Sequence, residues 1–259
     1  MGAPSAPEVL AVIPAAGFGT RFGGAGSKEI YPLDDPAGAR LIDCLLGHLT
    51  AGGVRRALIV TRQGKWDLLQ TLGDGASRGL SLAWMVVPPT AGTPFTLDAA
   101  HAFLDGQICL LGFPDIVFRA TAPVAALLAP LADADIDVVL GLLPTNDPER
   151  VDVVVCDGDR VQGLRIKSPC AEARPMTWVL AAWRPAFTNF LHERMADVDW
   201  QTRCRATLGR EELFVGDVIQ AAIAVGLRVH AVPLGATPGV DAGTPEGLVA
   251  ARQLLAARQ

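Results

Sequence analysis

The run Val9-Leu10-Ala11-Val12-Ile13 leads straight into Pro14-Ala15-Ala16-Gly17-Phe18-Gly19-Thr20-Arg21-Phe22, and Gly23-Gly24-Ala25-Gly26-Ser27-Lys28-Glu29 follows. An apolar run of this kind fits a buried strand. Gly17 and Gly19 allow the backbone behind it to take positive φ and to approach a ligand with no Cβ in the way. Free N–H groups in such a turn bind phosphate oxygens, and Arg21 and Lys28 can neutralise charge that amides alone cannot. The stretch reads as a triphosphate cradle. It is not a Walker A loop, which ends in Gly-Lys-Ser/Thr, and it lacks the third glycine and following helix of a dinucleotide fingerprint. A glycine loop by itself is as readily an ordinary turn.

Apolar strands alternate with amphipathic or turn-bounded segments, the pattern of an α/β layered domain. Residues 9–13, 57–61, 82–87 and 108–111 are expected core strands of an amino-terminal half. Leu41 to Leu49 carries apolar positions at helical spacing, and Leu97 to Phe103 is a second expected crossover helix. Residues 136–143, 151–155 and 178–183 are further expected strands, with Pro144-Thr145-Asn146-Asp147-Pro148 as a turn. Residues 245–258 are Ala/Leu-rich and expected to be helical, capped by Thr244 with Glu246 in the first turn. No repeat or linker divides the chain, so 1–259 is expected to be one domain, with a nucleotide-binding half of about 1–135 and an acceptor-binding half of about 136–259.

A chain of 259 residues, half of them hydrophobic, can bury a large core. Its formal net charge of −5 argues against non-specific nucleic-acid binding through a basic surface, so phosphate recognition must be local. Cys44, Cys109, Cys156, Cys170 and Cys204 are odd in number and show no CxxC spacing. This argues against a disulfide framework or a structural zinc site, and the thiols are expected to be reduced and mostly buried. His48, His101, His192 and His230 have no metal-ligand spacing and are expected in packing or surface roles. No signal-like stretch is evident and no apolar run reaches the ~20 residues that span a bilayer, so no membrane partner and a cytoplasmic location are expected.

The run Ala15-Ala16-Gly17-Phe18-Gly19-Thr20-Arg21-Phe22, then Ser27-Lys28-Glu29-Ile30-Tyr31-Pro32-Leu33, resembles the signature of the sugar-1-phosphate nucleotidyltransferases, the family of glucose-1-phosphate thymidylyltransferases and UDP-sugar pyrophosphorylases. Leu72-Gly73-Asp74-Gly75, Gly92-Thr93-Pro94, Leu111-Gly112 with Asp115, Ile166-Lys167, and Val240-Asp241-Ala242-Gly243-Thr244-Pro245-Glu246 follow in that family's order and span nearly the whole chain. The resemblance implies a Rossmann-like three-layer αβα nucleotidyltransferase (GT-A-like) fold with a mixed, mainly parallel central sheet. It also implies transfer of a nucleotidyl group from an NTP, dTTP or UTP, to a sugar 1-phosphate, with pyrophosphate released. Mg²⁺ is the implied cofactor, and a homo-oligomer is compatible with the family.

Residue by residue, the resemblance places Ala15, Ala16, Gly17, Gly19, Thr20, Arg21, Lys28, Val87 and Gly92 at the nucleotide. Asp115 and Asp241 fall at the metal, Lys167 at the attacking phosphate, and Asp152, Ile166 and Leu180 at the acceptor. Arg21, Lys28 and Lys167 are the implied catalytic cations. Without the family context Asp115 reads as a turn-capping residue, Asp241 as a residue of a turn before a helix, Arg21 as a solvated surface residue, and Lys28 and Lys167 as residues flanking a helix and a strand end. The pattern departs from the family in several places. Phe113-Pro114 separates Leu111-Gly112 from Asp115, Ile166-Lys167-Ser168 stands for Glu-Lys-Pro, Val87 stands where a Gln usually precedes the proline, and Asp152 and Leu180 stand at or near usual glycines. A cytidylyltransferase for a non-sugar phosphate, whose Pro-Ala-Ala-Gly-Phe-Gly opening is similar, and a nucleotide-sugar-binding regulator are the alternatives.

Overall fold

A computed structural model describes residues 8–19, 26–34, 38–169 and 172–257. The first strand, β1 (Val9–Pro14), buries Ala11, Val12 and Ile13 completely. Its near-continuous apolar run is what a central strand covered on both faces requires. α1 (Leu41–Ala51) follows, with the Asp43 carboxylate accepting the Arg40 N–H at 2.9 Å. Next come β2 (Arg56–Arg62), α2 (Trp66–Leu72) and β3 (Ser81–Val87). α3 (Thr93–Ala99) and α4 (His101–Leu104) then lead to β4 (Ile108–Gly112). The expected helix over Leu97 to Phe103 is thus two short helices, because Ala100 leaves the helical conformation at φ −92° and ψ 3°.

Beyond β4 lie β5 (Ile116–Val117), α5 (Pro123–Leu128), β6 (Val138–Pro144), β7 (Asp152–Asp157), β8 (Arg160–Ile166) and β9 (Met176–Trp183). α6 (Pro185–Ala196), α7 (Val198–Leu208), α8 (Val215–Ala224), β10 (Val229–Pro233), β11 (Val240–Asp241) and α9 (Pro245–Ala256) complete the described chain. Thr244 caps α9 as expected, its hydroxyl oxygen accepting the Gly247 N–H at 3.0 Å.

One nine-stranded sheet runs β3-β2-β1-β4-β9-β6-β10-β8-β7, and β5 with β11 forms a separate two-stranded ribbon. The strands β3, β2, β1 and β4 pair in parallel, as does β6 with β10. The expectation of a mainly parallel sheet is corrected in the rest. β4–β9, β9–β6, β10–β8 and β8–β7 are all antiparallel, and β7 pairs back to β9 through Val153 and Thr177. Connection length is the cause. Helical crossovers separate the amino-terminal strands, whereas β7 and β8 meet across the tight turn Gly158-Asp159, which only an antiparallel pair can use.

Alternate residues of the central strands face two cores. Val12, Leu111 and Leu140 pack with Leu97, Phe187 and Val218 of α3, α6 and α8. Ala11, Ile13, Leu110 and Val139 pack with Leu45, Leu68 and Val124 of α1, α2 and α5. The result is helix, sheet and helix in three layers. Trp178 and Trp183 belong to the first core, in keeping with a packing role. The thiols correct the sequence reading. Only Cys109 is buried, Cys44 and Cys204 are partly exposed and Cys156 is exposed, while Cys170 lies outside the described residues. Burial pushes the Cys109 thiol up to about 12, with Thr188 opposing. His48 stacks on Phe118, and His101 on His192. No helix of the described residues is long and apolar enough to cross a membrane.

Candidate functional site

The glycine-rich segment leaves the carboxyl end of β1, where α/β sheets present ligands. Ala15 still belongs to the sheet, its buried N–H donating to the Val60 carbonyl at 2.7 Å. The chain then turns outward. Gly19 has φ +63°, and a methyl placed on Gly17 would meet nothing within 4 Å. Ala16, Gly17 and Phe18 line a cavity of about 380 Å³ together with Lys28, Glu29, Thr90, Gly92, Thr96, Phe113, Asp115 and Glu212. Thr20 and Arg21, both assigned to the nucleotide above, lie outside the described residues.

The carboxylates far apart in sequence come together through the β5–β11 ribbon. Asp241 pairs with Ile116, and the Ala242 N–H donates to the Asp115 carbonyl at 2.8 Å. A methyl placed on Gly243 would lie 2.7 Å from Asp241 Oδ1, 3.4 Å from Asp115 Oδ2 and 3.4 Å from Lys28 Nζ. Three charged side chains therefore crowd around one residue that has no side chain. Lys28 is ion-paired with Asp115. Burial lowers the Lys28 ammonium, but Asp115, then Glu29 and Asp241, outweigh it, and the net shift is upward.

Two converging carboxylates are a hard-oxygen donor set of the kind that holds Mg²⁺, which takes only one or two protein carboxylates and fills the rest of its octahedron with water and phosphate. Among the described residues no group of three or more His, Cys, Asp or Glu side chains is placed so that it could hold a metal ion. The residues present thus fit a metal shared with a phosphorylated substrate, and do not form an all-protein cage.

Gly92 lines the cavity. Its φ is +134°, and a methyl there would come within 2.8 Å of the Leu213 carbonyl. Its own carbonyl caps the first turn of α3 through the Thr96 N–H at 3.2 Å. Val87 does not form the cavity wall. It is 3 % exposed and packs in the core, touching only a neighbouring groove with Arg62 and Pro88.

Asp152, Ile166 and Lys167 do gather at one place, and Leu180 does not join them. Leu180 is fully buried in the core with Leu45 and Val124, and it pairs with Gly112 on β4 and Gly141 on β6. Its assignment to an acceptor pocket is corrected on that ground. Asp152 is 9 % exposed, opposite Ile166 in the ladder, and accepts Trp178 Nε1–H at 3.2 Å. Burial first, with Asp217 adding, raises its carboxyl to about 6 against the pull of Trp178, Lys167 and Arg210. Lys167 takes φ +45°, uncommon for a non-glycine residue, and its Nζ lies 3.4 Å from the Phe214 ring centroid. Arg210 stacks on the same ring at 4.3 Å while holding both oxygens of Asp217 at 2.6 and 2.7 Å. Phe113 at the cavity wall contacts Trp178 at 5.6 Å between centroids and so links this cluster to the cavity.

Sequence reasoning passed over Glu29, Thr90, Thr96 and Glu212 in the cavity wall, and over Arg210 beside Lys167. The charged run Arg210-Glu211-Glu212 between two helices was the signal available for the last two.

A solved structure described as a glucose-1-phosphate thymidylyltransferase from Bacillus anthracis superposes with a TM-score of 0.81 at 16% identity, covering 97% of this chain and 96% of that one. This chain has the fold of the sugar-1-phosphate nucleotidyltransferases. The inositol-1-phosphate CTP transferase of T. maritima shares this nucleotidyltransferase fold at a TM-score of 0.73 and 17% identity, covering 96% of this chain and 97% of that one. A UTP-bound UGPase from Acinetobacter baumannii does so at 0.72 and 16%, covering 95% and 92%. Among curated proteins, the CMP-5'-(3-aminopropyl)phosphonate synthase of Streptomyces rubellomurinus is 32% identical over 133 residues, which are 51% of this chain and 21% of that protein. The bifunctional protein GlmU of Rhizobium etli is 26% identical over 226 residues, 86% of this chain and 47% of that protein. The chain thus spans less than half the length of these curated relatives. No family model matches it.

Proposed function

We propose that this nucleotidyltransferase fold joins a pyrimidine NTP, dTTP or UTP, to a sugar 1-phosphate and releases pyrophosphate. The observation that carries the reading is the meeting of Lys28, Asp115 and Asp241 around Gly243, with Lys28 and Asp115 lining the glycine-lined cavity. An oxygen of the acceptor phosphate attacks the α-phosphorus in line, a new P–O bond forms, and the bond to the β-phosphate breaks. An ionised phosphate needs no general base, so alignment and charge neutralisation can supply the catalysis. Lys28 and the loop N–H groups take up the charge that grows on the departing pyrophosphate. Lys167 holds the attacking phosphate at the far side, and Arg21 adds to the loop's cationic charge. Asp115 and Asp241 would hold Mg²⁺, which when bound supplies Lewis-acid neutralisation of phosphate oxygens.

A second reading is favoured by one observation, the 32% identity to a CMP-phosphonate synthase over half of the chain. It takes CTP as donor and a non-sugar phosphate or phosphonate as acceptor. Pyrophosphate release from dTTP, UTP and CTP against sugar 1-phosphates, inositol 1-phosphate and an aminoalkylphosphonate separates the two. Turnover with CTP and a non-sugar acceptor alone would replace the first reading by the second, and no turnover with any pair would remove both.

A further inference from the structure

The glycine-rich segment is tied down at both ends by one turn. Lys65 lies between β2 and α2, and its Nζ donates to the Ala15 carbonyl at 2.8 Å and to Glu29 Oε1 at 2.6 Å. Ala15 starts the segment and Glu29 follows its end, so one ammonium joins the two. Two residues on, Asp67 accepts the Ser27 N–H and the Ser27 hydroxyl, each at 2.7 Å, and also the Leu68 N–H at 2.9 Å. Gly26, with φ +94°, permits this approach, since a methyl there would lie 3.2 Å from Asp67 Oδ2.

The Lys65 contacts are buried and those of Asp67 half-buried. Lys65 is 5 %, Glu29 1 % and Ser27 3 % exposed, although a lysine in a surface turn would ordinarily be solvated. Burial lowers the Lys65 ammonium, opposed by Glu29. A buried ion pair is a poor stabiliser, because desolvation offsets the attraction unless further bonds complete it. Here completion is partial, for Glu29 Oε2 has no hydrogen-bond partner and Glu29 lines the cavity. Stability alone therefore does not account for the arrangement. What it does fix is geometry, because the short turn held by Ser27 and Glu29 carries Lys28, which meets Asp115.

We infer that Lys65 and Asp67 are positioning residues that clamp the start and the end of the glycine-rich segment, and thereby set Lys28 and the loop N–H groups for the triphosphate. This rests on the proposed nucleotidyl transfer. The clamp acts on the donor side, so its loss should be felt by the NTP and not by the acceptor.

Lys65→Met, Asp67→Asn and the double variant Lys65→Met with Glu29→Gln test this in the full chain. Hydrogen–deuterium exchange without nucleotide, thermal melting and steady-state kinetics with the NTP that turns over are measured on each. Exchange over residues 15–19 and 26–31 should quicken tenfold or more in Lys65→Met, with β4 and β6 unchanged. KM for the NTP should rise tenfold or more while KM for the acceptor stays within twofold. The double variant removes the lone buried carboxylate, so it should regain melting temperature and keep the raised KM for the NTP. Unchanged loop exchange overturns the clamp, as does an equal rise in both KM values, or recovery of KM together with stability in the double variant. If Lys65→Met does not fold, Asp67→Asn and the double variant decide by the same criteria. A wild-type chain without turnover would refute the functional reading alone, since the exchange arm needs no activity.

Discussion

The carbonyl oxygen of Asp115 accepts the N–H of Ala242 at 2.8 Å, and this bond joins the end of β4 to the approach of α9. Both neighbours of that bond carry charge into one corner, Asp115 itself on one side and Asp241 on the other. A ribbon of two residues per strand is marginal by itself, so the corner depends on α9 staying docked through Ala251 against Leu33, Leu41 and Val117. The site is thus assembled from the first, middle and last parts of the chain, with Lys28 as its third member.

Asp115→Asn and Asp241→Asn should each lower kcat by about 100- to 1,000-fold, the ~2.7–4 kcal/mol that loss of one electrostatic stabiliser costs. Pyrophosphate release at saturating Mg²⁺ measures it. Activity within a few-fold of wild type in either variant would take that residue out of the proposed metal-binding pair.

Gly243→Ala tests the crowding directly. The new methyl would sit 2.7 Å from Asp241 Oδ1, closer than real Cβ contacts, so the carboxylate must move and give up its 2.7 Å bond to the Gly243 N–H. A fall in kcat of about tenfold or more with a melting temperature close to wild type is the expected result. Unchanged kcat would mean that the observed position of the Asp241 carboxylate is not the one used in turnover.

Legibility in the sequence follows the kind of force involved. β1, β2, β4, β6 and β9 are readable because both of their faces are buried and the apolar runs are unbroken. α7 buries only Gln201, so it leaves no apolar stripe to read, and β8 breaks its alternation with Gly163 opposite the irregular step at Val155. Strand partners are not written in periodicity, which is why β9 between β4 and β6 made the sheet less parallel than expected. The corner of Lys28, Asp115 and Asp241 was legible only through motifs resembling a family. Leu180 misled because position in the sequence does not tell which face of a strand a side chain takes, and Leu180 packs in the core with Leu45 and Val124 whereas Trp178 belongs to the other core. Lys65 and Glu29 gave no signal, since charged residues near turns ordinarily read as surface.

Lys28 and Lys167 should separate by substrate. Lys28 sits at the cavity with Asp115, whereas Lys167 lies beside Phe214 in the cluster linked to it through Trp178 and Phe113. Lys28→Ala should weaken NTP binding and Lys167→Ala acceptor binding, each by about 10- to 100-fold, the worth of roughly 1.5–3 kcal/mol for a hydrogen bond to a charged group. Titration calorimetry with each substrate alone provides the measurement. Unchanged acceptor affinity in Lys167→Ala would remove Lys167 from the attacking phosphate.

Asp152 gives the chain a pH dependence whose sign is fixed. Its carboxyl is raised to about 6 from an ordinary 3.8, first by burial and then by Asp217, so between those values the folded protein keeps a proton that the unfolded chain has lost. Stability from this residue is therefore fully present below about pH 3.8 and is lost as pH rises through about 6. Two pH units at ~1.4 kcal/mol each make the loss of the order of 3 kcal/mol. Asp152→Asn keeps an oxygen for Trp178 Nε1–H and cannot ionise, so it should escape this loss. Denaturant unfolding of both proteins from pH 4 to 8 reads the effect, because titrating groups away from Asp152 cancel in the difference. The Asn variant should gain on wild type as pH rises from 4 to about 7 and hold a constant lead above that. Parallel curves across the range would show that Asp152 ionises in the folded protein as it does in water, and that its buried place beside Trp178 carries no electrostatic cost.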